Sequence, residues 1–226
     1  MVGILSLTSS LVAISQEEIQ ESYYKSYNYE KMGDYTDAIK SLSEVYSAYP
    51  KSYTVNLRLG YLSFISGYYA NAIANYDLAI SALPDAIEPK LGKMLVLMTK
   101  TKYEEATTLA YQILKLDHMN YLANLRLAYI LRIQEKYTLA EKINLKLLTV
   151  YPTDVTFLTE YGALQYAQSN WDKAEAIFQD VLVLDPENVD SRAFLELLKT
   201  AKLTPEVTPA TQTTVTKKKT TNAPKR

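Results

Sequence analysis

Residues 56–84 read NLRLGYLSFISGYYANAIANYDLAISALP, and this stretch decides the fold. It places the aromatic Tyr69 three residues before Ala72 and closes on a proline. The aromatic–alanine pair recurs every 34 residues, as Tyr35/Ala38, Tyr69/Ala72, Tyr103/Ala106, Tyr137/Ala140 and Trp171/Ala174. The closing position holds Pro50, Pro84, His118, Pro152 and Pro186. Self-similarity at a fixed period of this length indicates a stack of identical supersecondary units.

Each unit has the pattern of two amphipathic helices. In the second half of the fourth unit, apolar residues fall on one helical stripe, as Leu139, Ile143, Leu147 and Val150 show. The recurring alanine lets two helix backbones approach closely. The proline ends the unit, because it lacks an N–H donor and clashes with the preceding turn. Since one unit alone cannot bury its apolar faces, neighbouring units must stack.

The pattern predicts five helix pairs and one further helix. The first helices are expected over Glu18–Met32, Tyr53–Ser66, Ile87–Thr99, Tyr121–Gln134 and Val155–Ser169. The second helices are expected over Tyr35–Ala48, Tyr69–Ala82, Tyr103–Leu116, Tyr137–Val150 and Trp171–Leu184. After Pro186, either Asn188 or Asp190 caps a last helix that runs through Lys202.

The pattern resembles the tetratricopeptide repeat, a helix–turn–helix unit of 34 residues. Leu59-Gly60, Gly67, Ala72 and Pro84 occupy the family's positions, and the resemblance covers about residues 19 to 186. It implies an all-α fold, a right-handed α-solenoid of five helix pairs plus a C-terminal capping helix. The solenoid is expected over 17–202, with repeats at about 19–52, 53–86, 87–120, 121–154 and 155–188 and the capping helix at about 189–202.

Three residues depart from the family pattern. Met94 stands where the other first helices carry a small residue, and Ala110 and Asn144 stand where a bulky residue is expected in the second helix. If Asn144 is buried, its side-chain amide needs hydrogen-bond partners.

The composition argues against catalysis. The 226 residues contain no cysteine, which excludes disulfides, thiolate zinc sites and a cysteine nucleophile. The one histidine, His118, replaces a proline between two units and is interpreted as a loop residue. No glycine-rich phosphate loop is present. We therefore expect no enzyme activity, cofactor, metal site or small-molecule substrate.

The first fifteen residues carry no charge and include an apolar run too short to span a membrane. They resemble the centre of a secretory signal peptide, with Ala13-Ile14-Ser15 as a cleavage site before Gln16. The alternatives are an N-terminal apolar helix that caps the solenoid and a retained membrane anchor. A signal peptide would make the protein exported, either periplasmic or secreted, and otherwise it would be cytoplasmic.

Residues 203–226 change character and are rich in Thr, Pro and Lys. From residue 204 onward this tail has a net charge of +4. Since the whole chain has a net charge of −1, the remaining residues have a net charge of −5. Such a segment cannot bury enough apolar surface to offset the entropy of ordering, and it is predicted to be disordered. Its few spread cations favour a solubilising role over nucleic-acid binding.

The resemblance also implies where a partner would bind. In the family the first helices line the concave face, and the matching residues here are Tyr23, Tyr24, Tyr27, Leu57, Arg58, Tyr61, Phe64, Leu125, Arg126, Tyr129 and Arg132, with Leu91, Leu95, Glu160 and Tyr166 beside them. Tyrosine and arginine dominate binding hot spots. A surface tyrosine can also pack along the groove and bind nothing.

A chaperone-binding variant of the family grips a terminal carboxylate through a Lys/Asn clamp. The clamp positions here read Tyr23, Tyr27, Arg58, Glu88 and Gly92, so that role is not expected. The sequence predicts a non-catalytic scaffold or adaptor that binds a peptide or protein segment in its concave groove, in the assembly of a multiprotein complex. The alternative is a structural solenoid that self-associates and is tethered by its basic tail to an anionic surface.

Overall fold

The structure, a computed structural model, describes residues 14–203. The expected signal segment, apart from Ile14 and Ser15, and the basic tail beyond Leu203 lie outside the described residues, so both stay predictions. Within 14–203 the regular structure is entirely helical. The helices are α1 Gln16–Lys31, α2 Tyr35–Lys40, α3 Ser43–Ala48, α4 Tyr53–Ile65, α5 Tyr69–Ala82, α6 Glu88–Thr99, α7 Tyr103–Leu116, α8 Tyr121–Ile133, α9 Tyr137–Val150, α10 Val155–Ala167, α11 Trp171–Leu184 and α12 Val189–Leu203.

One predicted helix is wrong. The second helix of the first repeat was expected to be continuous, but it is divided into α2 and α3. The hydroxyl of Ser41 donates to the carbonyl of Asp37 at 2.7 Å, and the N–H of Leu42 donates to the carbonyl of Ile39 at 3.1 Å. The bond of Leu42 spans three residues instead of four, so the backbone tightens into a turn at this point.

The helices stack in chain order. Each first helix packs against its second helix, and the next first helix then packs against that second helix. The first helices α4, α6, α8 and α10 also contact one another in series, and α12 continues the row. Among residues 14–203, no substantial packing joins elements more distant along the chain than these neighbours. The α-solenoid predicted from the sequence is therefore confirmed, and the row of first helices forms one continuous surface.

The recurring alanines lie in the buried interior of the stack. All five of them are fully buried, namely Ala38, Ala72, Ala106, Ala140 and Ala174. The core is divided into clusters along the stack, such as the group around Leu42 and Val55 and the group around Ala163 and Phe178. In the second repeat, the ring of Tyr76 packs on Gly60, where an added β-carbon would lie 2.8 Å from Cδ1 of the ring. A side chain at Gly60 would therefore displace Tyr76.

The turn inside each helix pair has left-handed backbone geometry. Gly33 and Gly67 adopt φ values of 77° and 78°, and the residues 34 positions further on, Thr101, Glu135 and Ser169, adopt 55°, 58° and 60°. The following N–H of Lys102 donates to the carbonyl of Leu97 at 2.8 Å, which closes the end of α6. Glycine adopts this conformation without steric cost, whereas a β-branched threonine is strained there.

Side chains fasten the loops between repeats. Asn56 Nδ2 donates to the carbonyl of Pro50 at 2.9 Å, and Asn124 Nδ2 donates to that of His118 at 3.2 Å. Lys90 and Arg192 make the same bond to the loop residue six positions earlier. We call this bond the loop tether. The sequence carries a signal for it, a polar residue at the same position of α4, α6, α8 and α12, whereas α10 has Leu158 there.

Neither membrane insertion nor metal binding is indicated within residues 14–203. No helix there is both long enough and apolar enough to cross a bilayer. No group of three or more histidine, aspartate or glutamate side chains there is placed to hold a metal ion.

Candidate functional site

Two cavities open on the surface formed by the first helices. The first, here the amino-terminal cavity, measures about 450 Å³ and is lined by Tyr23, Tyr27, Thr54, Leu57, Arg58, Tyr61, Tyr76 and Glu88. The second, the carboxy-terminal cavity, measures about 480 Å³ and is lined by Met98, Leu125, Arg126, Tyr129, Arg132, Val155, Thr156, Thr159, Glu160, Ala163, Asn188, Asp190 and Phe194. The start of α12 closes this end of the surface.

The structure brings nine of the eleven predicted groove residues to these cavities. Tyr24 and Phe64 line neither of them. Tyr24 is strongly exposed on α1. Phe64 packs against the buried cluster of Ala72, Tyr76 and Val96, so it supports the repeats rather than facing solvent. Family positions place a residue on a helix face, but they do not show how far its side chain is covered by neighbours.

Arg58 is buried, and each of its three guanidinium nitrogens donates a hydrogen bond within the protein. Its Nε and Nη2 donate to the hydroxyl of Ser26 at 3.3 and 3.2 Å, and its Nη1 donates to Glu30 at 2.5 Å. The ring of Tyr27 covers the guanidinium at 3.8 Å, and that of Tyr61 lies 5.9 Å away. Arg58 therefore positions the two tyrosines, whose exposed faces are left for a ligand.

Glu30 is held in its charged form. Burial alone would raise the pKa of Glu30, but hydrogen bonds from Arg58 and Tyr61, with the charge of Arg58, lower it overall. The bond to Glu30 raises the pKa of the Tyr61 phenol, because a carboxylate stabilises the protonated hydroxyl. The first and second repeats thus share one charged network beneath the exposed tyrosines.

The fourth and fifth repeats share a second ion pair. Arg132 Nε and Nη2 donate to the two carboxylate oxygens of Glu160 at 2.7 and 2.9 Å. The ring of Tyr129 lies 5.2 Å from this guanidinium. Burial raises the pKa of Glu160, and Arg132 opposes the shift through its hydrogen bonds and charge. Two-point contacts of this kind fix geometry as well as charge.

These two ion pairs occupy the same place in the repeat. Each junction between successive first helices has an equivalent pair of sequence positions 28 residues apart. The five such pairs are Glu30/Arg58, Phe64/Gly92, Met98/Arg126, Arg132/Glu160 and Tyr166/Phe194, which we number as junctions one to five. At the fifth junction the two rings meet edge to face, with centroids 5.4 Å apart. The pairing of the fourth junction reverses the charges of the first.

Arg126, at the third junction, has no acidic partner within the part of the chain that the structure describes. The residue 28 positions earlier is Met98, and both line the carboxy-terminal cavity. Among residues 14–203, no carboxylate forms an ion pair with Arg126. Its Nη1 donates to the backbone carbonyl of Leu91 at 2.6 Å. Burial lowers the pKa of Arg126, and Tyr76 opposes the shift.

Asn144, which the sequence analysis singled out, is fully buried in α9. Its Nδ2 donates to the carbonyl of Ala140 at 3.0 Å, whereas its Oδ1 has no protein partner. It lies on a second helix and lines neither cavity. His118 is exposed in its loop, where its carbonyl accepts from Asn124 and Lys146.

The fold and this surface define an α-solenoid whose stacked first helices present tyrosines held over buried ion pairs. Residues 25–87 match the tetratricopeptide repeat family. This match lies within the part of the chain where the sequence resembles the tetratricopeptide repeat. Proteins with these repeats are generally non-catalytic scaffolds for interactions with other proteins.

Solved structures of tetratricopeptide repeat proteins share the fold. A tetratricopeptide repeat protein from Parabacteroides merdae superimposes with a TM-score of 0.74 at 21% identity, over 83% of this chain and 75% of that one. The MamA protein gives 0.66 at 16% identity, over 76% and 94% of the two chains. YrrB, described as a repeat protein with an unusual peptide-binding site, gives 0.64 at 12% identity, over 80% and 94%. No curated protein sequence matches the chain.

Proposed function

We propose that this protein is an adaptor that binds a segment of another protein along the row of first helices. The observation that carries the proposal is the pair of tyrosines at the amino-terminal cavity. Tyr27 and Tyr61 are 50% and 41% exposed, yet Arg58 beneath them fixes their positions. Aromatic side chains held in place before binding lose little conformational entropy when a ligand arrives.

The two cavities have the character of a peptide site. The amino-terminal cavity is lined mainly by tyrosines, and the carboxy-terminal cavity combines apolar side chains with polar and charged ones that can fix the orientation of a ligand. They lie on successive first helices, so a segment that fills both must run along the stack. YrrB, which shares the fold, is described as binding a peptide, and this supports the same use of the surface here.

The test is selection from a library of random peptides displayed on phage, followed by affinity measurement with the enriched synthetic peptides. We expect the selected sequences to converge, and Tyr27→Ala and Tyr61→Ala each to weaken binding by about tenfold or more. Tyr111→Ala is the matched control, because Tyr111 is 53% exposed but lies on the second helix α7. It should leave the affinity unchanged.

A different result would favour the structural alternative. If no peptide is enriched and the full chain forms larger species in sedimentation velocity as its concentration rises, the adaptor function is wrong and self-association replaces it. If Tyr111→Ala weakens the selected peptides more than the two groove variants do, the binding surface lies on the second helices instead.

A further inference from the structure

The arginines at the junctions between first helices differ in whether they form an ion pair. At the first and fourth junctions, Arg58 and Arg132 each pair with a carboxylate of the adjacent repeat. Arg126 lies at the third junction, where Met98 holds the position that Glu30 holds at the first. Within residues 14–203, the chain therefore supplies an acid for two of the three arginines predicted for the groove and none for the central one, Arg126.

We propose that Arg126 binds the side-chain carboxylate of an aspartate or glutamate within the partner segment. The partner thereby supplies for Arg126 the kind of acidic group that Arg58 and Arg132 find within the chain at the first and fourth junctions. This inference rests on the proposed adaptor function and specifies the chemistry of the bound segment.

The environment of Arg126 favours an anion. The side chain is partly buried, and its one protein hydrogen bond holds Nη1 against the carbonyl of Leu91. Nε and Nη2 keep donors for an incoming group, and a guanidinium presents such donors in a fixed fork that matches a carboxylate. A partly buried charge is stabilised more by an oppositely charged partner than a fully solvated charge is.

The position of Arg126 favours an internal acidic residue over a chain terminus. Arg126 lines the carboxy-terminal cavity, and its guanidinium is bonded to Leu91 of α6, the helix whose Glu88 lines the amino-terminal cavity. A segment that reaches both cavities must therefore pass Arg126 in its middle. The acid it presents there lies inside the segment.

The charges around the carboxy-terminal cavity limit how many acids fit. Glu160 lines this cavity but is paired with Arg132, so the two offset each other. Asp190 lines the same cavity from the start of α12. A run of acidic residues would meet Asp190, whereas one acid flanked by uncharged residues meets Arg126 alone. The preferred segment carries a single carboxylate.

The experiment uses two pools of acetylated and amidated nonapeptides, with aspartate or asparagine fixed at the centre and uncharged residues elsewhere. Binding to the full chain is measured by fluorescence anisotropy. We expect the aspartate pool to bind about tenfold more tightly or better, and the preference to weaken with salt. Arg126→Gln should remove the preference and Arg126→Lys should keep part of it. Lys115→Gln, an equal charge change on the exposed face of α7, should keep all of it.

Two further pools identify the source of the carboxylate. One carries three successive aspartates, and the other has a neutral centre with a free C-terminal carboxylate. Both should bind more weakly than the pool with one internal aspartate. Tighter binding by either would overturn the assignment of a single internal acid.

The outcomes separate this inference from the adaptor function. If both central pools bind equally and Tyr27→Ala weakens both, the adaptor function stands and the role of Arg126 is wrong. The same holds if the aspartate preference survives in a folded Arg126→Gln protein, as checked by urea unfolding. If no pool binds at all, both proposals fail together.

Discussion

Arg58 and Glu30 form across the first junction the contact that Glu160 and Arg132 form across the fourth, with the charges exchanged. The Nη1 of Arg58 lies 2.5 Å from Oε2 of Glu30, and the Nε of Arg132 lies 2.7 Å from Oε1 of Glu160. In both cases the partners stand 28 residues apart and join successive first helices. The repeat geometry thus allows the acidic and the basic residue to occupy either of the two paired positions.

The first prediction is a charge exchange at the first junction. Glu30→Arg and Arg58→Glu should each destabilise the protein by roughly 2 kcal/mol or more, because each leaves like charges in a partly buried place. The double variant restores an ion pair with the polarity of the fourth junction, so it should recover more than half of the loss. Urea unfolding followed by circular dichroism measures each value. The exposed Glu21–Lys25 pair, exchanged in the same way, should change stability little.

The second prediction concerns pH. The folded-state pKa of Glu30 lies below its ordinary value of 4.5, so its charge contributes stability above that pH. The contribution is lost as the pH falls through the folded-state pKa. Glu30→Gln should therefore be less stable than the parent at about pH 7, and the difference should shrink towards about pH 3. A difference that grows on acidification would contradict the shift.

The third prediction concerns the turn that follows α6. Thr101→Gly should raise the free energy of unfolding by about 0.5 to 1 kcal/mol, because glycine relieves the left-handed strain while it adds some entropy to the unfolded chain. Gly67→Thr, the reverse change at the equivalent turn, should lower it by about 1 kcal/mol or more. Thermal unfolding of both variants shows whether each change stabilises or destabilises the protein. Effects in the same direction would be inconsistent with the backbone geometry.

The fourth prediction tests the loop tether. Asn124→Ala removes bonds to the carbonyls of His118 and Asn120 and should reduce stability by roughly 1 to 3 kcal/mol. Asn75→Ala is the matched control, since Asn75 also donates to a carbonyl four residues earlier but lies on the helix surface. Its effect should be within about 0.5 kcal/mol. Equal losses in the two variants would show that the tether adds nothing.

Most of the fold could be predicted from the sequence because the signal is periodic. The alanine of each second helix recurs at a fixed interval, and all five alanines are buried where the helices pack. A proline closes four of the five repeats at the same interval. The break at Ser41 could not be predicted in the same way. The side chain of Ser41 bonds to its own helix, but serine makes such bonds within continuous helices as well, as Ser81 does in α5, so the residue alone is no signal for a break.

The groove was predicted less completely than the fold. Family positions placed Arg58, Arg126 and Arg132 on the same face, but they did not distinguish arginines that pair within the protein from one that does not. That distinction depends on which residue lies 28 positions away, on a neighbouring repeat. Once this register is known, the acids at 30 and 160 and the methionine at 98 can be read from the sequence.

The exchanged polarity also bears on how nearly identical repeats assemble in the correct order. If the first repeat docked onto the fifth, Glu30 would face Glu160, and if the fourth docked onto the second, Arg132 would face Arg58. Both mistaken dockings bring like charges together at the junction. During folding, or when two chains meet end to end, the reversal disfavours these non-native partners and directs each of the four repeats towards its own neighbour.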